Sequence, residues 1–246
     1  MTTHERFVDN GDVRIRYLSG DPAPAEGPEG LPVVLVPGLS DFADDYAAVF
    51  DVWGRRRFVV VEVRGRGGSD APPTGYSVRH QASDVESVLA AEGLSRFHLM
   101  SFSRGTTTAI EVAKSDPSRV ASLSIGDYPA IEMALTPEIV ERLWRSRFRG
   151  LPVSRRMQRH ALEGLGADSQ GRDLWQDVAG LGVPVLVARG ADGGVVVDGV
   201  VERYRAEVPG VEIVTIPGAK HDLFRPERGA YPRAVLEMIG RRTTDR

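Results

Sequence analysis

A serine near the middle of the chain stands where a nucleophile could be presented to a substrate. Ser103 is the centre of Ser101-Phe102-Ser103-Arg104-Gly105, between an apolar run and a helical pattern. A nucleophile at such a strand-to-helix turn needs small residues two positions to either side, and Ser101 and Gly105 meet that need. The helix that follows would point backbone N–H groups at a developing oxyanion. The alternative interpretation is an ordinary serine cap of a helix.

A histidine late in the chain is the candidate base. His221 follows the apolar run 211–216 and a Pro-Gly turn, which places it at the carboxyl edge of a predicted sheet. Loops at that edge meet in space, so His221 can reach a nucleophile on another loop, as general-base catalysis requires. The alternative is a histidine in a surface loop without a catalytic role.

The elements that must position these residues alternate between short apolar runs and helical patterns. This alternation predicts an α/β fold with a doubly wound, mostly parallel sheet. The predicted buried strands are 32–36, 58–63, 97–100, 120–125, 183–188 and 211–216.

One segment breaks the alternation. Residues 128–180 contain no convincing strand and show helical patterns near 137–149, 154–165 and 171–181. We therefore expect a core formed by 1–127 and 181–246, with 128–180 inserted as a small helical cap.

Composition excludes several classes of chemistry. The 246 residues include no cysteine, which removes disulfides, thiolate catalysis and cysteine-ligated metals. The net charge is only −3, so nothing favours binding to nucleic acid or to an anionic membrane. Neither a signal peptide nor an apolar stretch of membrane-spanning length is recognisable. The sequence therefore predicts a soluble, cytoplasmic protein without a metal or an organic cofactor, and it leaves the oligomeric state open.

Four motifs in one order resemble the α/β-hydrolase family over essentially the whole chain. They are VVLVPGLSD, with Pro37 where histidine is usual; VEVRGRGGSD, with Glu62 in an aspartate position; the Ser103 turn; and IPGAKHDLFRPE, with Lys220 for a usual glycine. The resemblance implies that the backbone N–H groups of Leu39 and Arg104 form an oxyanion hole.

The acid that would orient His221 is open between two aspartates. In the family it usually stands three residues after the glycine of the strand that here reads VLVARG, and that position is Gly193, which has no side chain. Asp192 is one residue short of it. Asp127 ends the preceding strand, an arrangement that resembles haloalkane dehalogenases and zearalenone lactonases. Both aspartates lie at the same sheet edge, so spacing leaves either one, or neither, as the acid.

Several residues are candidates for substrate binding. Arg104 follows the nucleophile and would either pair with an anionic group of the substrate or form a surface salt bridge. Trp144 and Phe148 would line an apolar pocket or simply pack on the core. The cap also carries a basic cluster, which is either a solvated helix face or a recruiter of anionic substrates. The cluster comprises Arg142, Arg145, Arg147, Arg149, Arg155, Arg156 and Arg159.

These residues predict a serine hydrolase that cleaves an ester or a lactone of a small molecule through an acyl-enzyme, and Arg104 would suit an anionic substrate. A carbon–carbon bond hydrolase or a cofactor-free perhydrolase would use the same triad. A ligand-binding receptor that kept the fold without turnover is the alternative from another class. Haloalkane dehalogenation by the usual route is excluded, because it needs an aspartate where Ser103 stands.

Overall fold

A computed structural model describes residues 1–22, 27 and 29–242. Its strands are β1 (Thr2–Asn10), β2 (Val13–Asp21), β3 (Val33–Val36), β4 (Phe58–Glu62), β5 (Phe97–Phe102), β6 (Val120–Gly126), β7 (Arg147–Phe148), β8 (Leu151–Pro152), β9 (Val185–Gly190) and β10 (Glu212–Ile216). Its helices are α1 (Val78–Ala91), α2 (Gly105–Ser115), α3 (Pro137–Trp144), α4 (Arg159–Asp168), α5 (Trp175–Ala179), α6 (Asp198–Glu207) and α7 (Ala230–Arg242). The six strands predicted from apolar runs are confirmed, with ends that shift by at most two residues.

Eight strands form one sheet in the order β1-β2-β4-β3-β5-β6-β9-β10. Strand β2 pairs antiparallel with both β1 and β4. The other neighbours in this sheet, along β4-β3-β5-β6-β9-β10, pair in parallel. The predicted mostly parallel sheet is therefore confirmed. The strand order reverses beside β3 and β5, and in open sheets of this kind the crevice at the carboxyl ends of the strands is where ligands bind.

Helices cover both faces of the sheet, so the central strands are buried on both sides. Apolar residues of α1, α2, α5 and α6 pack on one face. Residues of α7 and of the 3₁₀ segment Ala43–Trp53 pack on the other. Strands covered on both faces are apolar along their whole length, which is why β3 reads VVLV and β4 begins FVVV.

The segment between β6 and β9 differs from the predicted all-helical cap. A helix was expected through 137–149, but α3 ends at Trp144 and the short hairpin β7–β8 follows. Arg149 and Gly150 form its two-residue turn with φ of +46° and +85°, a left-handed conformation that no right-handed helix continues through. The helix α5 lies inside the predicted cap, yet its Trp175 and Val178 belong to the same apolar core as α1, α2 and α6, on one face of the sheet.

A smaller apolar cluster holds the rest of the insertion together. It joins α3 and α4 to Tyr76 of the core through buried residues that include Leu135, Val140 and Leu162. Among the residues described, no helix has the length and apolar character needed to cross a membrane.

Candidate active site

Ser103 sits on a strained turn between β5 and α2. Its φ of +50° lies in the left-handed region, which is uncommon for residues other than glycine and is found at functional sites. The Ser103 N–H donates to the Gly126 carbonyl at 2.8 Å, which anchors the turn to the end of β6. A Cβ on Gly105 would lie 2.2 Å from the Pro37 carbonyl oxygen, so only glycine fits where α2 passes the β3 loop.

The serine two positions earlier fits the turn although glycine is usual there. Ser101 is fully buried, and its hydroxyl lies 3.0 Å from Thr106 Oγ1 and 3.1 Å from the Ser124 carbonyl oxygen. The Tyr231 hydroxyl donates to the Ser101 carbonyl at 3.0 Å. The Ser101 hydroxyl is therefore hydrogen-bonded to neighbours inside the sheet, and the side chain is compatible with the turn.

His221 lies between the serine and an aspartate. Its Nε2 is 2.9 Å from Ser103 Oγ, and its Nδ1 is 2.7 Å from Asp127 Oδ2. The imidazole stacks on Phe102, with ring centroids 5.3 Å apart. Both ring nitrogens thus have partners, and the ring is held in an orientation in which Nε2 can accept the serine proton.

Asp127 is fully buried and held by a loop that folds over it. Its carboxylate accepts hydrogen bonds from the N–H groups of Val195 at 2.9 Å and Val196 at 3.2 Å. A Cβ on Gly194 would lie 2.4 Å from Asp127 Oδ2, so the carboxylate occupies the space that a side chain there would need. The φ of Asp127 is +45°, which makes it a second non-glycine residue in the left-handed region at this edge.

Asp192 is not brought to His221. Its side chain is exposed, and its backbone N–H donates to the Ala219 carbonyl at 2.9 Å. Of the two aspartates that the sequence offers, the structure brings Asp127 and not Asp192 into contact with the imidazole.

Leu39 and Arg104 carry the two backbone N–H groups that the family resemblance assigns to an oxyanion hole. Neither Leu39 nor Arg104 donates its backbone N–H to a backbone carbonyl of the described chain. The Leu39 loop is fixed by Asp41, whose carboxylate accepts the Gly38 N–H at 2.8 Å and the Tyr46 hydroxyl at 2.5 Å. Burial raises the pKa of Asp41 above its usual range, although the Arg149 charge and the hydrogen bonds from Tyr46 and Gly38 act in the opposite direction.

The Arg104 side chain is buried and does not form the surface salt bridge that was one of its two predicted roles. It is 7% exposed, and its Nη1 donates to the Met133 carbonyl at 2.8 Å. No carboxylate lies within ion-pairing distance of it in the part of the chain that the structure describes. The surface interpretation is therefore wrong, because the helix start turns the side chain inward under the insertion.

The family model for alpha/beta hydrolases matches residues 33–237, which is most of the chain. The chain belongs to the alpha/beta hydrolase family. The resemblance inferred from the four motifs is thereby confirmed. A match of this extent covers the Ser103 turn, the Asp127 strand and the His221 loop.

Similar proteins in this hydrolase family act on different small molecules. An N-formylmaleamate deformylase of Pseudomonas putida is 32% identical over 105 residues, which are 42% of this chain and 39% of that protein. The crystal structure of E-2-(acetamidomethylene)succinate hydrolase covers 97% of this chain and 100% of its own, with a TM-score of 0.77 and 19% identity. The enol-lactonase from Burkholderia xenovorans LB400 covers 96% and 100%, with a TM-score of 0.77 and 18% identity. The two structural likenesses show the fold.

Two arginines of the predicted basic cluster are buried in this hydrolase, contrary to a solvated face. Arg149 donates from Nε and Nη2 to the Asp222 carboxylate at 2.8 and 2.9 Å. Arg156 donates from Nη1 to Asp45 at 2.6 Å, and its side chain is 1% exposed. Sequence reasoning missed these pairs because each joins residues that are 73 or 111 positions apart.

The solvated interpretation holds for other members of the cluster. Arg145 and Arg159 are exposed and share the carboxylate of Glu141. Such exposed pairs contribute little to stability.

The two aromatic candidates for substrate binding pack within the protein. Phe148 is half-buried and lies with its ring centroid 5.0 Å from the Arg149 guanidinium carbon. Trp144 is half-buried in the insertion cluster, with the Arg159 guanidinium 5.4 Å from its ring. Their expected contact with substrate stays a prediction.

Within the described ranges no group of three or more His, Asp or Glu side chains is arranged to hold a metal ion.

Proposed function

We propose that this protein is a serine hydrolase that cleaves an ester or lactone of a small molecule through an acyl-enzyme intermediate. The observation that carries the proposal is the continuous chain from Ser103 Oγ through His221 to Asp127, with contacts of 2.9 and 2.7 Å. A nucleophile, a base and an orienting carboxylate in this order form the arrangement that activates a serine hydroxyl.

In the proposed acylation step, Ser103 Oγ attacks the carbonyl carbon while its proton passes to His221 Nε2. The tetrahedral intermediate collapses when the leaving oxygen departs with that proton, which leaves the acyl group on Ser103. A water molecule then gives a proton to His221 and attacks the acyl carbon. When the second intermediate collapses, Ser103 recovers the proton and the acid product is released.

The negative oxygen of each intermediate would accept hydrogen bonds from the backbone N–H groups of Leu39 and Arg104. Donors of this kind are each worth about 3–4 kcal/mol of transition-state stabilisation. Asp41 supports the proposal indirectly, because it holds the Leu39 loop in place through the Gly38 N–H.

Asp127 is the proposed acid. Buried and with three hydrogen-bond donors on its oxygens, it would hold the Nδ1 proton of His221 and stabilise the imidazolium that forms during each step. Asp192 has no corresponding contact and is proposed to have no part in the reaction.

The experiment that tests this proposal combines labelling and kinetics. A fluorophosphonate probe should label the wild-type protein on Ser103 and leave Ser103→Ala unlabelled, and kcat on simple esters should fall about 10⁴-fold or more in that variant. A ligand-binding receptor without turnover would not label. Full esterase activity in Ser103→Ala would falsify the proposal.

The acid is tested by a matched pair of variants. Asp127→Asn should lower kcat by about 10⁴-fold, because the asparagine favours the wrong imidazole tautomer. Asp192→Asn removes the same charge from an exposed position and should keep the wild-type rate. Equal rates in the two variants would reject Asp127 as the acid.

Amide hydrolysis is the second candidate, since the relative at 32% identity is named as a deformylase of N-formylmaleamate. The same triad can attack an amide carbonyl. A carbon–carbon bond hydrolase or a perhydrolase would use the same triad on other substrates. A panel of paired esters, lactones and N-formyl amides separates ester hydrolysis from amide hydrolysis. That relative's substrate name denotes a carboxylate anion, in agreement with the anionic substrate that Arg104 predicts.

A further inference from the structure

Two arginines beside the reaction centre are buried without a negative partner. Arg66 is 4% exposed and Arg104 is 7% exposed. Neither has a carboxylate oxygen within 4.0 Å among residues 1–22, 27 and 29–242. A buried charge is costly unless it is paired, so two together need an explanation.

Neutral acceptors hold both side chains in place. Arg66 donates from Nε to the Leu39 carbonyl at 3.0 Å, from Nη1 to the Arg64 carbonyl at 2.8 Å and from Nη2 to Gln81 Oε1 at 2.9 Å. Arg104 donates from Nη1 to the Met133 carbonyl. These bonds orient the guanidinium groups without a direct ion pair, although the charges of Asp84 and Asp41 act on Arg66 from a greater distance and favour its cation.

The two cations also act on each other. Burial first, and then the neighbouring Arg104 charge, lower the pKa of Arg66 to about 10. Arg66 remains a cation at neutral pH, but the free protein keeps two like charges close together in a site of low polarity. An anion that lies between them would remove this repulsion.

Their position links them to the reaction. Arg104 directly follows Ser103, and Arg66 binds the carbonyl of Leu39, the residue whose N–H is the other proposed oxyanion donor. A guanidinium carries five N–H donors, and Arg66 uses three, so donors remain for a ligand. Two such groups match the planar geometry of a carboxylate.

We propose that Arg66 and Arg104 together bind a carboxylate of the substrate and select acyl compounds that carry one. This inference rests on the proposed hydrolase function and assigns its substrate class. A neutral substrate would leave the two buried cations without an ion-pair partner. Selection therefore comes from the repulsion that a carboxylate relieves as well as from the hydrogen bonds that it accepts.

The test compares two esters that differ in the terminal group, monomethyl succinate and methyl butyrate. The ratio of their kcat/KM values is measured by titration of released acid. The wild-type ratio should favour monomethyl succinate by about tenfold or more, and Arg66→Met should reduce the ratio about ten- to a hundredfold. Arg104→Met keeps the backbone N–H and should reduce it similarly, which covers the case in which Arg66→Met does not fold.

The matched control is Arg159→Met, which removes the same charge from an exposed position of the insertion. Its ratio should equal that of the wild type. A wild-type ratio near one, or an equal fall in the Arg159→Met control, overturns the inference even where Ser103 labels and esters are cleaved.

Calorimetry on Ser103→Ala separates this inference from the proposed function. Monomethyl succinate should bind Ser103→Ala about tenfold or more tightly than it binds Ser103→Ala with Arg66→Met. If the wild-type protein is not labelled by the fluorophosphonate and cleaves neither ester, Arg66-dependent binding to Ser103→Ala would support the anion site and reject the serine hydrolase. Equal affinity in the two proteins would reject the anion site.

Discussion

Two pairs of buried arginines have opposite surroundings. In the first pair, Arg149 forms an ion pair with Asp222, and Arg156 forms one with Asp45. Each of these arginines also has aromatic rings within 6.0 Å of its guanidinium carbon. The chain supplies both the cation and its counter-charge, so these ion pairs are complete in the free protein.

The second pair, Arg66 and Arg104, donates its hydrogen bonds to neutral acceptors. Arg64 makes the contrast sharp, because it lies two residues from Arg66 in the same loop and forms four hydrogen bonds with the buried Asp84. Neighbouring residues of one motif thus serve different ends. A paired arginine holds the fold, and an unpaired one keeps its charge for a ligand.

The largest effect should come from a paired arginine. Arg64→Met removes the ion-pair partner of Asp84, whose side chain is fully buried. We expect a loss of about 3–5 kcal/mol in the free energy of unfolding, measured by urea denaturation. The double variant with Asp84→Asn should regain part of that loss. A loss below 1 kcal/mol would break the distinction between the two kinds of arginine.

The contribution of the Arg149–Asp222 pair to the free energy of unfolding should depend on pH. Burial alone would raise the pKa of Asp222, but the Arg149 hydrogen bonds and charge outweigh it and hold that pKa below its usual range. The stabilisation is therefore complete above the ordinary aspartate pKa of about 4 and is lost as pH falls through the folded-state value. Asp222→Asn should cost about 1–3 kcal/mol at pH 7, and this difference from wild type should shrink below pH 4. If the difference in the free energy of unfolding between wild type and Asp222→Asn grew on acidification, the Arg149–Asp222 pair would not be the source of the stabilisation.

The smallest effect should come from an unpaired arginine. Arg66→Met orphans no buried carboxylate, and it relieves the repulsion from Arg104 while removing donors from two backbone carbonyls. We expect the free energy of unfolding to change by about 1 kcal/mol or less in either direction. Urea denaturation beside Arg64→Met gives the comparison directly. Equal losses in the two variants would show that Arg66 also serves the fold.

The serine and the histidine were predictable from sequence because each follows a recognisable apolar run at a turn. The contact of the aspartate was not, since Asp127 and Asp192 end neighbouring strands at the same edge. What distinguishes them is the path of the loop after β9, which lays Gly194 against the Asp127 carboxylate and leaves Asp192 in solvent. Loop paths depend on contacts that one-dimensional spacing does not carry.

The parallel sheet was predictable for a different reason: continuous apolar runs have few alternatives to burial. The hairpin at Arg149 was missed because its flanking residues fit a helical pattern, and the partner that fixes it, Asp222, lies far away in the sequence. The local sequence pattern there favours a helix, whereas an ion pair with a residue distant in sequence stabilises the hairpin.

The attachments of the insertion set a limit on protein engineering. Arg149 donates hydrogen bonds to Asp222, and the Met133 carbonyl accepts one from the Arg104 guanidinium. The insertion begins directly after Asp127. Each attachment lies within one residue of a group in the proposed reaction. A foreign cap grafted between β6 and β9 would therefore have to reproduce all three junctions. A cap that lacked them would leave the catalytic residues misaligned.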